Sequence, residues 1–73
     1  MTEQFETIDQ RLRECRKNIN VPLHRVAKHT GISVSFLSDL ERGRTMPSLK
    51  TLASLATFYG YTLSELLEDV IVE

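Results

Sequence analysis

Side chains that could contact the edges of nucleic-acid bases recur on one face of residues 31–44. A hydroxyl can bond to several bases, a carboxylate can accept from the amino group of cytosine, and a valine can touch the methyl group of thymine. As a helix, about ten residues would be roughly 15 Å long, a size that fits the major groove of DNA. The alternative for each residue is an exposed position without a role. The candidate base readers are Val34, Ser35, Ser38 and Asp39.

Basic side chains gather around that stretch, although the chain as a whole has a net charge of −1. Residues 16–50 carry seven Lys and Arg and two acids, a balance of +5, whereas residues 1–15 and 51–73 sum to −2 and −4. The local sign decides phosphate attraction, because charges are screened beyond about 8–10 Å. A solvated surface is the alternative for any one of them. The candidate phosphate contacts are His24, Arg25, Lys28, Ser33, Arg42, Arg44, Thr45 and Lys50.

Local signals predict the helix that would present these residues. Gly31 tolerates a positive φ and can end a preceding helix. Ser33 is a favourable N-cap, because its hydroxyl can accept from an amide two or three residues further on. Leu37 and Leu40 are three residues apart and share one face. Gly43 then ends the helix.

Apolar spacing and capping residues predict four further helices, and no strand signal precedes the last few residues. Helix 1 follows a capping box at Thr7, and helix 2 follows Pro22. Helix 4 is capped by Ser48, and helix 5, residues 63–67, is capped by Thr62. The expected inner stripes are Phe5, Ile8, Leu12, Cys15 and Ile19 in helix 1, and Leu49, Leu52, Ala53, Ala56 and Tyr59 in helix 4.

Helices 2 and 3 are joined by a tight glycine turn, and the small Ala27 lets them cross closely, which is typical of a helix-turn-helix. The chain resembles the phage-repressor and Cro type of helix-turn-helix, also called the xenobiotic-response-element family. The resemblance covers residues 8–68 and implies an all-α, lambda-repressor-like DNA-binding domain of five short helices. The matching residues are Arg13, Arg16, Val26-Ala27, Gly31-Ile32-Ser33, Leu37, Leu40, Glu41-Arg42-Gly43, Pro47-Ser48-Leu49 and Leu63-Ser64-Glu65-Leu66-Leu67.

The resemblance also implies a structural ion pair and reveals one departure. In the family an arginine at the position of Arg16 pairs with the glutamate before the glycine stop, which here is Glu41. Two independent surface charges are the alternative. At Pro22 and Leu23 the family often has Ser-Gln, whose glutamine contacts a phosphate, and Leu23 cannot do so. Basic residues of helix 2 could take over that contact.

A resemblance of this kind further implies a sequence-specific regulator of transcription, with repression the expected effect, that binds a near-palindromic operator as a homodimer. Helix 3 would enter the major groove, and two half-sites would lie about 34 Å apart on one face of the duplex. The expected dimer contact lies near helix 5, where several apolar residues do not belong to the predicted buried faces. Its candidate residues are Leu55, Phe58, Tyr61, Val70 and Ile71.

Length and composition constrain the organisation of the chain. A single domain is expected for 73 residues, with a core at 8–68. Residues 1–6 are expected to fray, and residues 70–73 to form a dimerisation tail or the start of a further part. No apolar run approaches the roughly 18 residues of a membrane span. One cysteine, Cys15, is expected to be buried and cannot form an internal disulfide, which indicates a cytoplasmic protein.

Catalytic chemistry has little support in the sequence. Paired carboxylates and a phosphate-binding glycine loop are both missing, and His24 and His29 have no nearby residues to complete a metal site. We therefore expect no enzyme activity, no cofactor and no small-molecule effector. Two alternatives stay open beside a DNA-binding regulator: a protein-interaction module such as an antitoxin or anti-repressor, and the DNA-binding part of a longer protein.

Overall fold

The structure is a computed structural model that describes residues 7–68 and residue 70. Within those residues the chain forms five α-helices, which confirms the predicted all-α class. The expectations for Phe5, for fraying of residues 1–6 and for Ile71 lie outside the described residues, as does most of the predicted tail. The helices are α1 (Ile8–Asn18), α2 (Leu23–Thr30), α3 (Val34–Glu41), α4 (Leu49–Tyr59) and α5 (Leu63–Leu66).

Helix starts follow the local capping chemistry. The hydroxyls of Ser33 and Ser48 each accept from the backbone N–H three residues further on, at 3.1 Å. Thr62 and Glu65 form a reciprocal capping box, with distances of 3.0 Å and 2.8 Å, and a second box opens α1 at Thr7. These bonds satisfy amides that have no partner inside the helix. All four predicted caps are confirmed.

The hydrophobic core draws on every helix. Cys15 is buried, as predicted, and Val26 is fully inaccessible to solvent. Because each helix contributes at least one buried side chain, the five short helices stabilise one another rather than relying on their own propensity. The buried apolar residues are Leu12, Cys15, Val26, Leu37, Leu40, Leu52, Leu55, Ala56, Tyr59 and Leu66.

The predicted inner stripe of α1 is wrong at Ile19, which follows the end of that helix and is 44 % exposed. The predicted inner stripe of α4 is wrong at two positions. Leu49 is 68 % exposed and Ala53 is also exposed, whereas Leu55 is only 1 % exposed. The buried positions are 52, 55, 56 and 59, which follow the i, i+3, i+4, i+7 spacing of a helix face. Since α4 packs against both α2 and α5, its covered face is rotated toward Leu55. Leu55 is therefore a core residue, and its assignment to a dimer contact is corrected.

The other described candidates for the dimer contact are half-buried. Phe58 packs against the core, with its ring centroid 5.6 Å from that of His29 and 5.3 Å from that of Tyr59. Tyr61 lies beneath the guanidinium of Arg11, whose central carbon is 5.5 Å from the ring centroid. Val70 is half-buried. Part of each apolar surface is thus used within the chain, and the rest is accessible.

Candidate nucleic-acid interface

The turn between α2 and α3 is held by a few short hydrogen bonds. Gly31 has a φ of 78°, and its N–H donates to the carbonyl of Ala27 at 2.9 Å. The hydroxyl of Thr30 donates to the carbonyl of Val26 at 2.8 Å and accepts from the N–H of Ile32 at 3.3 Å. A left-handed glycine lets the chain reverse directly after α2. The turn fixes where α3 begins relative to α2.

One face of α3 is accessible along its length. Its opposite side buries Leu37 and Leu40 in the core. Among the candidate base readers, Val34 is 44 % exposed and Ser35 is exposed, while Ser38 and Asp39 are half-buried. The predicted readers therefore share the solvent side of the helix, and they are most accessible at its N-terminal turn.

A glycine corner ends α3. Gly43 has a φ of 75°, and its N–H donates to the carbonyl of Leu40 at 3.2 Å. The N–H of Arg44 donates to the carbonyl of Asp39 at 2.9 Å. This pair of bonds is the Schellman arrangement, which reverses the chain direction with little loss of backbone bonding. Arg42 and Arg44 are both exposed on the two sides of the glycine.

A buried carboxylate anchors the same end of α3 to α1. Glu41 is 6 % exposed, and both of its carboxylate oxygens accept from Arg16, from Nε at 2.8 Å and from Nη2 at 2.9 Å. The third nitrogen, Nη1, donates to the carbonyl of Val21 at 3.1 Å. The hydrogen bond to Glu41 outweighs partial burial and raises the pKa of Arg16. The ion pair that the resemblance implies is present, and its two-pronged geometry fixes the orientation of α3 against α1.

Burial also acts on the ring beside this pair. It raises the pKa of the Tyr59 phenol well above its ordinary value, and the negative charge of Glu41 adds to the effect. Tyr59 therefore stays uncharged at neutral pH. The Arg16–Glu41 pair therefore lies beside an uncharged phenol ring contributed by α4.

Two further arginines of α1 have structural roles that the sequence reasoning missed. Arg13 Nη1 donates to the carbonyl of Glu41 at 2.8 Å. Arg11 donates from Nε to the carbonyl of Leu66 at 2.9 Å and from Nη2 to the carbonyl of Glu65 at 3.0 Å. The spacing of Arg13 and Arg16, three residues apart on one helix face, could have indicated a shared target. The acceptors could not have been found, because they are backbone carbonyls.

The candidate phosphate contacts are accessible. Thr45 is half-buried, and the hydroxyl of Ser33 already accepts from a backbone amide as the cap of α3. Because a hydroxyl has one hydrogen and two lone pairs, this cap can still donate to a phosphate. With Glu41 buried and paired, Asp39 is the one acid at the surface among residues 16–50. The exposed members of the set are His24, Arg25, Lys28, Ser33, Arg42, Arg44 and Lys50.

Comparison with known proteins identifies the family. Residues 12–66 match the model of the helix-turn-helix family HTH_3. The chain belongs to that family. It is 56 % identical over 61 residues to the HTH-type transcriptional regulator DdrOP3 of Deinococcus deserti, a match that covers 84 % of this chain and 47 % of the relative. It is 33 % identical over 63 residues to the immunity repressor protein of Bacillus phage phi105, covering 86 % of this chain and 44 % of the relative.

Solved structures place the fold in the same family. The master regulator for biofilm formation SinR, in complex with DNA, superimposes with a TM-score of 0.77 and 31 % identity. That match covers 84 % of this chain and 98 % of the SinR chain. The chain spans about half the length of the curated relatives it matches. No helix among its described residues has the length and apolar character needed to cross a membrane.

The helix starts of this helix-turn-helix domain differ in charge. The first turns of α2, α3 and α4 contain no acidic residue, whereas α1 has Asp9 and α5 has Glu65 there. The N-terminal amides of a helix carry a partial positive charge that attracts anions. At α2, Leu23 stands where the resemblance would place a glutamine, and its side chain is half-buried against the core. The backbone amides and the neighbouring His24 are therefore the groups left to bind an anion.

Proposed function

We propose that this chain binds double-stranded DNA by placing α3 in the major groove, and that it regulates transcription in this way. The observation that carries the proposal is the exposed N-terminal turn of α3, at Val34 and Ser35, on a helix whose far end leads into two exposed arginines. The names of the relatives support it, since they include a transcriptional regulator and an immunity repressor, and SinR was crystallised with DNA. Repression is the expected effect.

The proposal assigns two roles, base reading and phosphate contact, to two groups of residues. The base readers are Val34, Ser35, Ser38 and Asp39, which contact base edges and select the sequence. The phosphate contacts position the protein and supply affinity that depends on salt. Arg42 is the leading member, because it is exposed directly after the last turn of α3. The full set of phosphate contacts is His24, Arg25, Lys28, Ser33, Arg42, Arg44, Thr45 and Lys50.

We further propose that the chain acts as a homodimer on a near-palindromic operator. One recognition module buries only roughly 600–1,000 Å² of protein surface, so two modules on half-sites about 34 Å apart would provide the affinity that one lacks. The proposed contact uses the accessible parts of Phe58 and Tyr61 together with Val70 and Ile71. An apolar hollow beside Val70, lined in part by Met46 and Leu67, adds surface that a second copy could cover.

Selection of bound duplexes from a random pool tests the operator proposal most directly. The expected result is a pair of inverted half-sites with centres one helical turn apart, because a symmetric dimer presents two copies of α3. Enrichment of a single half-site without symmetry would contradict the dimer while keeping DNA binding. Recovery of no common sequence, with no dependence of binding on salt, would contradict the whole proposal. Sedimentation of the chain with and without the selected duplex then gives the stoichiometry.

A protein-interaction module remains the second candidate, favoured by two exposed apolar side chains. Met46 is 73 % exposed and Leu49 is 68 % exposed, and both lie close to the glycine corner in sequence. Met46 also lines the apolar hollow beside Val70, and contiguous exposed apolar surface marks partner contacts. A salt titration separates the candidates. DNA binding weakens log-linearly as salt rises, whereas an apolar protein contact does not.

A further inference from the structure

The C-terminal carbonyls of α3 have two kinds of partner. Those of residues 38, 39 and 40 accept from backbone N–H groups of residues 42–44, at 2.9 to 3.3 Å. The carbonyl of Glu41, the last helical residue, accepts from the side chain of Arg13 at 2.8 Å. A guanidinium suits this place, because the C-terminal end of a helix carries partial negative charge. The final carbonyl of α3 is thus held from another helix.

This hydrogen bond holds the peptide group that joins Glu41 to Arg42. The carbonyl of Glu41 and the N–H of Arg42 belong to one planar unit, so fixing the carbonyl fixes the plane. Arg16 holds the carboxylate of the same glutamate. Two arginines of α1 therefore hydrogen-bond to Glu41: Arg16 to its carboxylate and Arg13 to its backbone carbonyl.

We propose that Arg13 is a positioning residue for the glycine corner: its bond to the Glu41 carbonyl sets the direction in which Arg42 and Arg44 present their side chains to phosphates. This inference rests on the proposed DNA binding. Arg13 acts through the peptide plane and makes no phosphate contact of its own. It deepens the proposed function by assigning the orientation of the corner to a residue of α1.

Three single substitutions test the assignment. Arg13→Gln removes the charge and shortens the side chain, so that the bond to the Glu41 carbonyl is lost. Arg13→Lys keeps the charge and one donor that can reach the same carbonyl. Lys17→Gln is the matched control, because Lys17 is an exposed basic residue one turn further along α1. All measurements are made at a temperature where circular dichroism shows each variant to be folded.

The first readout is DNA affinity as a function of salt, measured by fluorescence anisotropy on the selected operator and on a random duplex. We expect Arg13→Gln to weaken binding to both duplexes by about tenfold, as for loss of one charge-assisted hydrogen bond. Any fall in the slope of log affinity against log salt should come through Arg42 and Arg44. Adding Arg13→Gln to the double variant Arg42→Ala, Arg44→Ala should therefore change neither the affinity nor the slope. Arg13→Lys should recover most of the affinity, and Lys17→Gln should bind within about twofold of wild type.

The second readout needs no DNA. Hydrogen exchange of the Gly43 and Arg44 amides should become about tenfold faster in Arg13→Gln, while exchange of core amides such as that of Leu55 stays unchanged. If Arg13→Gln unfolds, Arg13→Lys decides the matter through a smaller change in the same two amides and in affinity.

Three results would overturn the inference. The first is a further fall of about one in the salt slope when Arg13→Gln is added to the Arg42→Ala, Arg44→Ala variant, which would make Arg13 itself a phosphate contact. The others are an affinity of Arg13→Gln equal to that of Lys17→Gln, and unchanged exchange of the Gly43 and Arg44 amides. If the wild type itself shows no salt-dependent binding, the proposed function fails instead, and the exchange data still decide whether Arg13 holds the corner.

Discussion

Removing one partner of the Arg16–Glu41 pair should be far more damaging than removing both. In Arg16→Met the carboxylate of Glu41 stays in a site where its side chain is only 8 % exposed, without the two hydrogen bonds that satisfied it. Breaking a buried pair in this way costs about 3–5 kcal/mol. A chain of 73 residues has a total stability of about 4–11 kcal/mol, so the variant should lose a large part of it.

The assay is thermal and urea denaturation followed by circular dichroism. For a domain of this size, a loss of about 3–5 kcal/mol lowers the melting temperature by roughly 12–40 °C. Glu41→Leu should cost less than Arg16→Met, because the Arg16 side chain is 20 % exposed and can turn toward water. The double variant Arg16→Met with Glu41→Leu should lie within about 2 kcal/mol of wild type, since neither change leaves an unpaired charge in the core.

Lys17→Met provides the control for this series, because Lys17 is exposed on the same helix. Its effect should stay within about 0.5 kcal/mol, as for most surface substitutions. The reasoning would be refuted if Arg16→Met and Lys17→Met had similar stabilities, because the pair would then behave as a surface ion pair. It would also be refuted if the cost of the double variant equalled the sum of the two single costs, which would show that the two side chains are not coupled.

Three other changes test separate features of the molecule. Leu55→Ala should cost about 2–5 kcal/mol in urea denaturation and Leu49→Ala less than about 0.5, since one side chain is buried and the other exposed; equal costs would contradict the packing of α4. Gly43→Ala should lower the stability by at least about 1–2 kcal/mol, because the glycine has a positive φ. It should lower it by more than Gly60→Ala, since a Cβ at 43 would also lie 3.2 Å from a carboxylate oxygen of Asp9 in α1. The order of the two melting temperatures checks this. Arg42→Ala should weaken binding to operator and random duplexes alike and reduce the salt slope by about one; a change confined to the operator would make Arg42 a base reader.

Features set by a few neighbouring residues could be predicted from the sequence. The Thr62–Glu65 box needs only four consecutive residues, and Ser33 needs only the amide three positions on. The face of α4 that is buried could not be predicted in the same way. Leu49 and Leu55 are equally apolar, and which of them enters the core depends on α2 and α5, which pack on that helix from elsewhere in the chain.

The candidate site shows the same division between local and distant information. The exposed face of α3 followed from the spacing of Leu37 and Leu40, because residues off their shared face, Val34 and Ser35 above all, had to point to solvent. The partner of Arg16 came from a family resemblance rather than from spacing, since 25 residues separate it from Glu41. The partner of Arg13 is a backbone carbonyl 28 residues away. Because every residue has a backbone carbonyl, no residue type in the sequence indicates which carbonyl Arg13 contacts.

The acidic residues explain how a chain with a net charge of −1 can offer a basic surface. Glu41 is buried against Arg16, so its charge is compensated inside the protein. Asp9 and Glu65 lie in the first turns of α1 and α5, where they complement the positive helix ends. The first turns of α2, α3 and α4 have no such acid, so their positive ends stay available to an external anion. The net charge of the chain is therefore a poor guide to phosphate binding. The position of each acid is a better one, because an acid in the first turn of a helix neutralises the positive end that would otherwise attract a phosphate.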